Sequence, residues 1–203
     1  MTVFYKIMDS LPAVPDVLVE LALQKSNNFA KLSGPERVEQ RINPSFLQGR
    51  IVTRDNFPTV SRPAPRADLR NEFENWVNKN ISTEWSEIGV SLSLPPDNGQ
   101  TSDFLGPHSD KSRAYVLIYL IEQSNTDQHT VWYQEQGKGL YRKRTTAALN
   151  FDTLTELDRI CMPMHTWVYI NANILHSVEQ VQQSRTAVQI SFDIDPFGVF
   201  VSC

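Results

Sequence analysis

The stretch Trp167–Ile194, WVYINANILHSVEQVQQSRTAVQISFDI, decides the reading of the fold. Its last ten residues alternate: Val188, Ile190, Phe192 and Ile194 fall on one side, Arg185, Gln189, Ser191 and Asp193 on the other. Successive side chains of a strand point to opposite faces, so this pattern predicts a strand over 185–194 with one apolar and one polar face. An apolar face packed outward on helices and a polar face lining a barrel account for it. Trp167–Ile170 reads as a second strand ending near Asn171, with His176 just past it. Working outward, Ile88–Leu94, Ala114–Ile121 and Thr130–Tyr133 are further short strands, and Pro95–Gly99 is a turn or loop. Short strands without intervening helices predict a sandwich or barrel rather than a parallel α/β sheet.

The N-terminal part has a different texture. Val17, Leu18, Leu21 and Leu23 follow Pro15-Asp16, a helix-start signal, and predict a helix over about 15–25. After the proline-punctuated connector SRPAPRADL, Leu69, Phe73, Trp76, Val77 and Ile81 share one helical face, which predicts a helix over 67–80. The expected architecture is one domain over 1–203, mainly β with flanking helices. Residues 1–85 form a mainly helical support, and 86–203 form a jelly-roll core of about eight strands.

With 203 residues and 40% hydrophobic content, the chain can bury a full core without disulfides or a structural metal. A net charge of -4, and no basic run denser than Arg142-Lys143-Arg144, argue against a nucleic-acid partner. The longest apolar run, Ala114–Ile121, is far short of the roughly 20 residues that span a bilayer, so no membrane association is expected. The start, MTVFYKIMDSLPAVPDV, lacks the pattern of a leader peptide. Cys161 and Cys203 are not in a CxxC spacing; a buried thiol and a terminal one suit a reducing, cytoplasmic setting.

Four histidines are present: His108, His129, His165 and His176. In Pro107-His108-Ser109-Asp110 an extended backbone puts His108 and Asp110 on one side, an imidazole and a carboxylate facing one metal ion. The third ligand must come from elsewhere. His176 is followed nine residues later by Arg185, whose planar fork matches a carboxylate. His165 is the substitute, but lacks an arginine at that distance; His129 sits in the polar loop SNTDQH. Two histidines and one carboxylate on one face of an octahedron leave three positions open, the facial triad of non-heme Fe(II) oxygenases. A charged residue opening a buried strand is costly unless paired, so Arg185 calls for a carboxylate partner. Trp132, Tyr133 and Trp167 read as core.

The runs PHSDKSRAYVLIYLIEQ, TVWYQEQG and WVYINANILHSVEQVQQSRTAVQISF together resemble the iron(II)/2-oxoglutarate oxygenase superfamily over about residues 105–194. The resemblance is greatest to its prolyl-hydroxylase-like branch and to small members seen in marine bacteria and phages. It implies a double-stranded β-helix with Fe(II) on His108, Asp110 and His176 and with 2-oxoglutarate held by Arg185. It implies oxidative decarboxylation of 2-oxoglutarate with O2, coupled to hydroxylation of a substrate, with ascorbate as a reductant. Tyr119 matches the branch's co-substrate-binding tyrosine, with Tyr115 as the fallback on the same face. Some families place a serine two residues after the arginine; here that position is Ala187, and Gln189 or Ser191 takes over its hydrogen bond. Asp110 argues against a halogenase, in which a small residue replaces the carboxylate. A non-catalytic jelly-roll binding module, or a cupin-type metal protein without 2-oxoglutarate, is the alternative; Arg185 separates them. The substrate, a small molecule or a peptide, carries no motif here, although residues 95–107 are placed to form its lip. Assembly as a homodimer stays open.

Overall fold

The computed structural model describes residues 3–30, 60–61, 67–93, 105–110, 113–123, 127–140, 151–180 and 185–200. Two helices are described, α1 (Asp16–Ala30) and α2 (Ala67–Asn80). The strands are β1 (Tyr5–Ile7), β2 (Val60–Ser61), β3 (Glu87–Ser93), β4 (Leu105–His108), β5 (Tyr115–Gln123), β6 (His129–Glu135), β7 (Leu154–Cys161), β8 (Trp167–Asn171), β9 (His176–Glu179) and β10 (Arg185–Phe192).

Helix α1 starts where Pro15 predicts: its carbonyl accepts from the amides of Leu18 and Val19 at 2.9 and 3.0 Å. Leu18, Ala22 and Ser26 form its buried stripe at a spacing of four. The helix outruns the expected end at 25 because the stripe continues through a serine, which carries no hydrophobic signal. Helix α2 buries Phe73 and Val77 and ends at Asn80, whose side-chain amide donates to the Trp76 carbonyl at 2.8 Å.

All the strand pairs are antiparallel. One sheet has six strands in the order β1-β8-β5-β10-β3-β2, the other four in the order β4-β9-β6-β7. The eight strands from β3 onward divide equally between the sheets, and β1 and β2 extend the edges of the larger one. This is the double-stranded β-helix, or jelly roll. The pleat sorts the core into two layers. Leu117, Tyr119 and Ile121 of β5, Trp167 and Tyr169 of β8, and Val188, Ile190 and Phe192 of β10 meet Leu18, Phe73 and Val77 on the helical side. Val116, Ile118 and Leu120, Val168 and Ile170, and Ala187 turn inward to Trp132, Ile160 and Met162 beneath the smaller sheet. Trp167 also ties the N-terminal segment down by donating from its indole to the Pro12 carbonyl at 2.8 Å.

Several elements depart from the sequence expectations. β10 ends at Phe192, and Ile194 is exposed. β7 is an edge strand with one buried residue, Ile160, so its apolar period is too weak to read. Cys161 is exposed on this strand rather than buried. His176 does not lie in a link but opens β9, in the sheet opposite β10. The N-terminal support is not purely helical, since β1 joins the larger sheet. Of the expected substrate lip, residues 95–104 lie outside the described residues, as do Arg142–Arg144 and Cys203. Among the described residues no helix is long and apolar enough to cross a membrane.

Phe73 joins helix to sheet and is almost fully buried. Phe73→Ala is expected to lower the unfolding free energy by about 3–5 kcal/mol, the usual cost of truncating a buried phenylalanine. Urea denaturation followed by circular dichroism measures this. A loss below about 1 kcal/mol would contradict the packing of α2 on the larger sheet.

Candidate metal centre

β4 and β9 are neighbours, and His108 lies directly opposite His176 across their ladder. The two imidazoles are 4.5 Å apart between ring centres. Asp110 follows β4 at once; its amide donates to the Ala172 carbonyl at 2.9 Å, which fixes the bend that returns its carboxylate towards the histidines. Asp110 Oδ1 lies 3.7 Å from His108 Nε2. One donor atom from each of His108, Asp110 and His176 falls within 4.8 Å of the others. Cis ligands about 2.1 Å from a shared ion stand about 3 Å apart, a spacing that small side-chain rotations reach from here. Among the described residues these three form the one cluster of this kind.

The turn between β8 and β9 is braced from below. Asn171 Oδ1 accepts from the Asn173 amide at 3.1 Å, and the Ala114 carbonyl accepts from Ala172 N at 2.9 Å and Asn173 Nδ2 at 3.1 Å. His176 enters its strand from this braced turn with its Nδ1–H donating to the Ile174 carbonyl at 2.8 Å. That bond assigns the tautomer and frees the Nε2 lone pair for a cation. Burial, reinforced by His108, holds the His176 imidazole down at about 4, so it is neutral near pH 7. Two imidazoles and a carboxylate make a donor set that fits Fe(II) with open positions.

Arg185 lies at the opposite end of β10 from Ser191, on the inward face. It is 9% exposed. Its Nη2 meets Met162 Sδ at 3.2 Å, and its Nε has no hydrogen-bond partner among the described residues. Burial pushes the guanidinium down to about 10, with Cys161 opposing, so it stays charged at neutral pH. Gln128, just before β6, and Thr130 and the Trp132 indole nitrogen on it are further buried polar groups without a partner among the described residues. Trp132 pairs with His176, while His129 pairs with Cys161, the residue before Arg185's neighbour Met162. Thr130 is therefore one pleat, about 7 Å, along β6 from the His176 level and towards Arg185. Buried donors without acceptors each cost about 1–3 kcal/mol, and such a group calls for an absent ligand or water.

The remaining sequence candidates are placed differently from what the sequence suggests. Tyr119 and Tyr115 lie on the outward face of β5. Tyr119 packs on Trp167 at 5.0 Å and Tyr115 stacks on Phe200 at 5.5 Å. The expectation that either tyrosine contacts a co-substrate is corrected: residues 115, 117, 119 and 121 share the helix-facing side, and Val116, Ile118 and Leu120 face the interior. Gln189 does face inward, but its Oε1 accepts from Arg113 Nη1 at 2.8 Å, and Ser191 Oγ is a second acceptor at 3.5 Å. Neither is free to replace a serine at 187. His165 is exposed in a left-handed turn (φ 56°) beside Tyr119, away from the triad. Trp132, Tyr133 and Trp167 are buried, as read.

Arg113 escaped the sequence reading. It is buried, and its Nε donates to Asp110 Oδ2. They stand three positions apart, a spacing at which the alternation of an extended chain would not suggest a pair. The one available signal was a cation close in sequence to a ligand carboxylate. Gln128, Thr130 and the Trp132 nitrogen gave no signal, because nothing in a sequence shows which polar atoms end up unpaired.

The fold is that of solved 2-oxoglutarate-dependent oxygenases. The epimerase SnoN of nogalamycin biosynthesis, solved with Fe3+ and alpha-ketoglutarate, superposes with a TM-score of 0.51 at 11% identity, covering 98% of this chain and 87% of that one. A full-length Neurospora crassa protein, solved with alpha-ketoglutarate and 5-formyluracil, gives 0.50 at 12% identity, with 93% and 74% covered. A Pseudomonas putida prolyl-4-hydroxylase gives 0.48 at 11% identity, with 95% and 93% covered. No protein-family model and no curated protein matches the chain.

The depressed His176 has a consequence for stability. An unfolded histidine titrates near 6.5, so between about pH 6.5 and about 4 the unfolded chain binds a proton that the folded, metal-free chain refuses. Stability must therefore fall as pH falls through that window, by at most about 1.4 kcal/mol per pH unit from this group. The urea midpoint of metal-free protein at pH 7.5 and pH 5 reads this. In His176→Gln the difference between the two midpoints is expected to shrink; an unchanged difference would show that His176 protonates as readily folded as unfolded.

Proposed function

We propose that this chain is a non-heme Fe(II) oxygenase that couples oxidative decarboxylation of 2-oxoglutarate to hydroxylation of a small-molecule or peptide substrate. The observation that carries the reading is a pair of incomplete sites that face each other's sheet across the interior, one on each sheet. One is a His-Asp-His donor set. The other is the buried, charged guanidinium of Arg185, whose Nε has no partner among the described residues. A 2-oxoacid with a second carboxylate completes both at once, chelating the ion and neutralising the arginine. The oxygenases that share the fold support it.

In this reading His108, Asp110 and His176 hold Fe(II). When bound, the ion supplies the redox chemistry: 2-oxoglutarate, O2 and a substrate C–H give succinate, CO2 and the alcohol, with one oxygen atom in succinate and one in the product. The protein's own contribution is orientation and dryness. Arg185 offers its fork to the distal carboxylate, and Thr130 and Gln128 supply further polar contacts in the same region. Val116, Ile118 and Leu120 close the floor against water. The Ile174 carbonyl keeps His176 in the tautomer that binds metal.

The test uses Fe(II), O2 and ascorbate. The parent protein is expected to convert 2-oxoglutarate slowly to succinate without added substrate, and Asp110→Ala is expected to stop it. Arg185→Leu is expected to keep its metal and to bind 2-oxoglutarate about ten- to hundredfold more weakly, the worth of a hydrogen bond to a charged group. Because the unpaired charge costs stability, ligand-free Arg185→Leu should melt no lower than the parent, while 2-oxoglutarate should raise the melting temperature of the parent alone. Metal uptake without any response to 2-oxoglutarate would favour a cupin-type metal protein. A chain that binds neither would be a non-catalytic jelly-roll module.

A further inference from the structure

The two oxygens of Asp110 are not equivalent. Oδ1 faces His108 Nε2 at 3.7 Å, while Oδ2 accepts from Arg113 Nε. Arg113 is 8% exposed and is itself pinned from β10, donating from Nη1 to Gln189 Oε1 at 2.8 Å and to Ser191 Oγ at 3.5 Å. The backbone beside it is locked as well: Ala114 N donates to the Phe192 carbonyl at 3.1 Å, and the Ala114 carbonyl accepts from the β8–β9 turn. The guanidinium thus belongs to a braced wall and not to a mobile surface chain.

A carboxylate beside a divalent ion can ligate through one oxygen or chelate through both. With two imidazoles, one-oxygen ligation leaves three of six positions open, and chelation leaves two. A 2-oxoacid takes two. Only the one-oxygen mode keeps a place for a diatomic molecule once the oxoacid is bound. We propose that Arg113 is the positioning residue that enforces this mode, holding Oδ2 away from the ion so that Asp110 ligates through Oδ1 alone. The role rests on the metal site proposed above and adds a function for a residue outside the ligand set. Neutralising a half-buried carboxylate, the plain structural role, would need the charge of Arg113 but not its choice of one oxygen.

Anaerobic Fe(II)·2-oxoglutarate complexes of the parent, Arg113→Met and Arg113→Lys are titrated with nitric oxide, a diatomic stand-in for O2, and the iron–nitrosyl signal is read by electron paramagnetic resonance. Fe(II) and 2-oxoglutarate affinities are measured alongside. In Arg113→Met, Fe(II) affinity is expected within about threefold of the parent and the nitrosyl signal at least tenfold weaker at equal nitric oxide. Arg113→Lys should recover part of it. Gln189→Leu, which removes one brace and leaves the ion pair, gives a milder variant and should lose part of the signal. A full nitrosyl signal in Arg113→Met would overturn the role. So would loss of Fe(II) and nitrosyl together in Arg113→Met with a full signal in Gln189→Leu, since that is the pattern of a purely structural ion pair. A parent protein that takes up no Fe(II) would overturn the metal site, and this role with it.

Discussion

The pleat of β10 sorts apolar side chains to the helices and polar ones to the interior. A strand in the middle of a six-stranded sheet has both faces covered, and its side chains must alternate between them. Val188, Ile190 and Phe192 meet α1 and α2, which commits Arg185, Ala187, Gln189 and Ser191 to the space between the sheets. A one-residue slip of register would put the guanidinium under the helices and Phe192 between the sheets. The apolar packing of the outer layer therefore holds the polar groups of the inner wall in place. Burial of Phe73 and Val77 is what stabilises an arrangement that the inner face alone would oppose.

The inner polar groups divide into two sets. Towards the end of β10, Gln189 and Ser191 accept from Arg113, and Arg113 donates to Asp110. That set is satisfied by the protein. Towards its start, Arg185 Nε, Gln128, Thr130 and the Trp132 nitrogen lack partners among the described residues. A fold selected for stability alone would replace the second set with apolar side chains of similar volume. In the proposed function these are the groups that a bound oxoacid would satisfy.

The sequence was legible where the physics is periodic or ionic. The alternation at 185–192 and the helical face of Phe73, Trp76 and Val77 pointed to the larger sheet and to α2, the latter with its observed ends. The i, i+2 spacing of His108 and Asp110, with His176 before Arg185, named the triad that the structure brings together. It was less legible where identity depends on which way a residue turns. Tyr119 and Tyr115 match a family position by residue type, yet the pleat of β5 points both at the helices. Gln189 has the right face but is already occupied by Arg113, a partner 76 positions away that no local pattern reveals. β7 and β9 were missed because an edge strand and a four-residue strand carry too few buried positions for a period to emerge.

In the proposed function one ligand completes both the His-Asp-His set and Arg185. The most direct test is X-ray diffraction at the iron absorption edge from crystals grown anaerobically with Fe(II) and 2-oxoglutarate. A single iron peak bonded to His108, Asp110 and His176 is expected, with an oxoacid that chelates it and sets its distal carboxylate on the Arg185 guanidinium. Iron at another site, or iron at the triad with the oxoacid absent and Arg185 still unpaired, would contradict it.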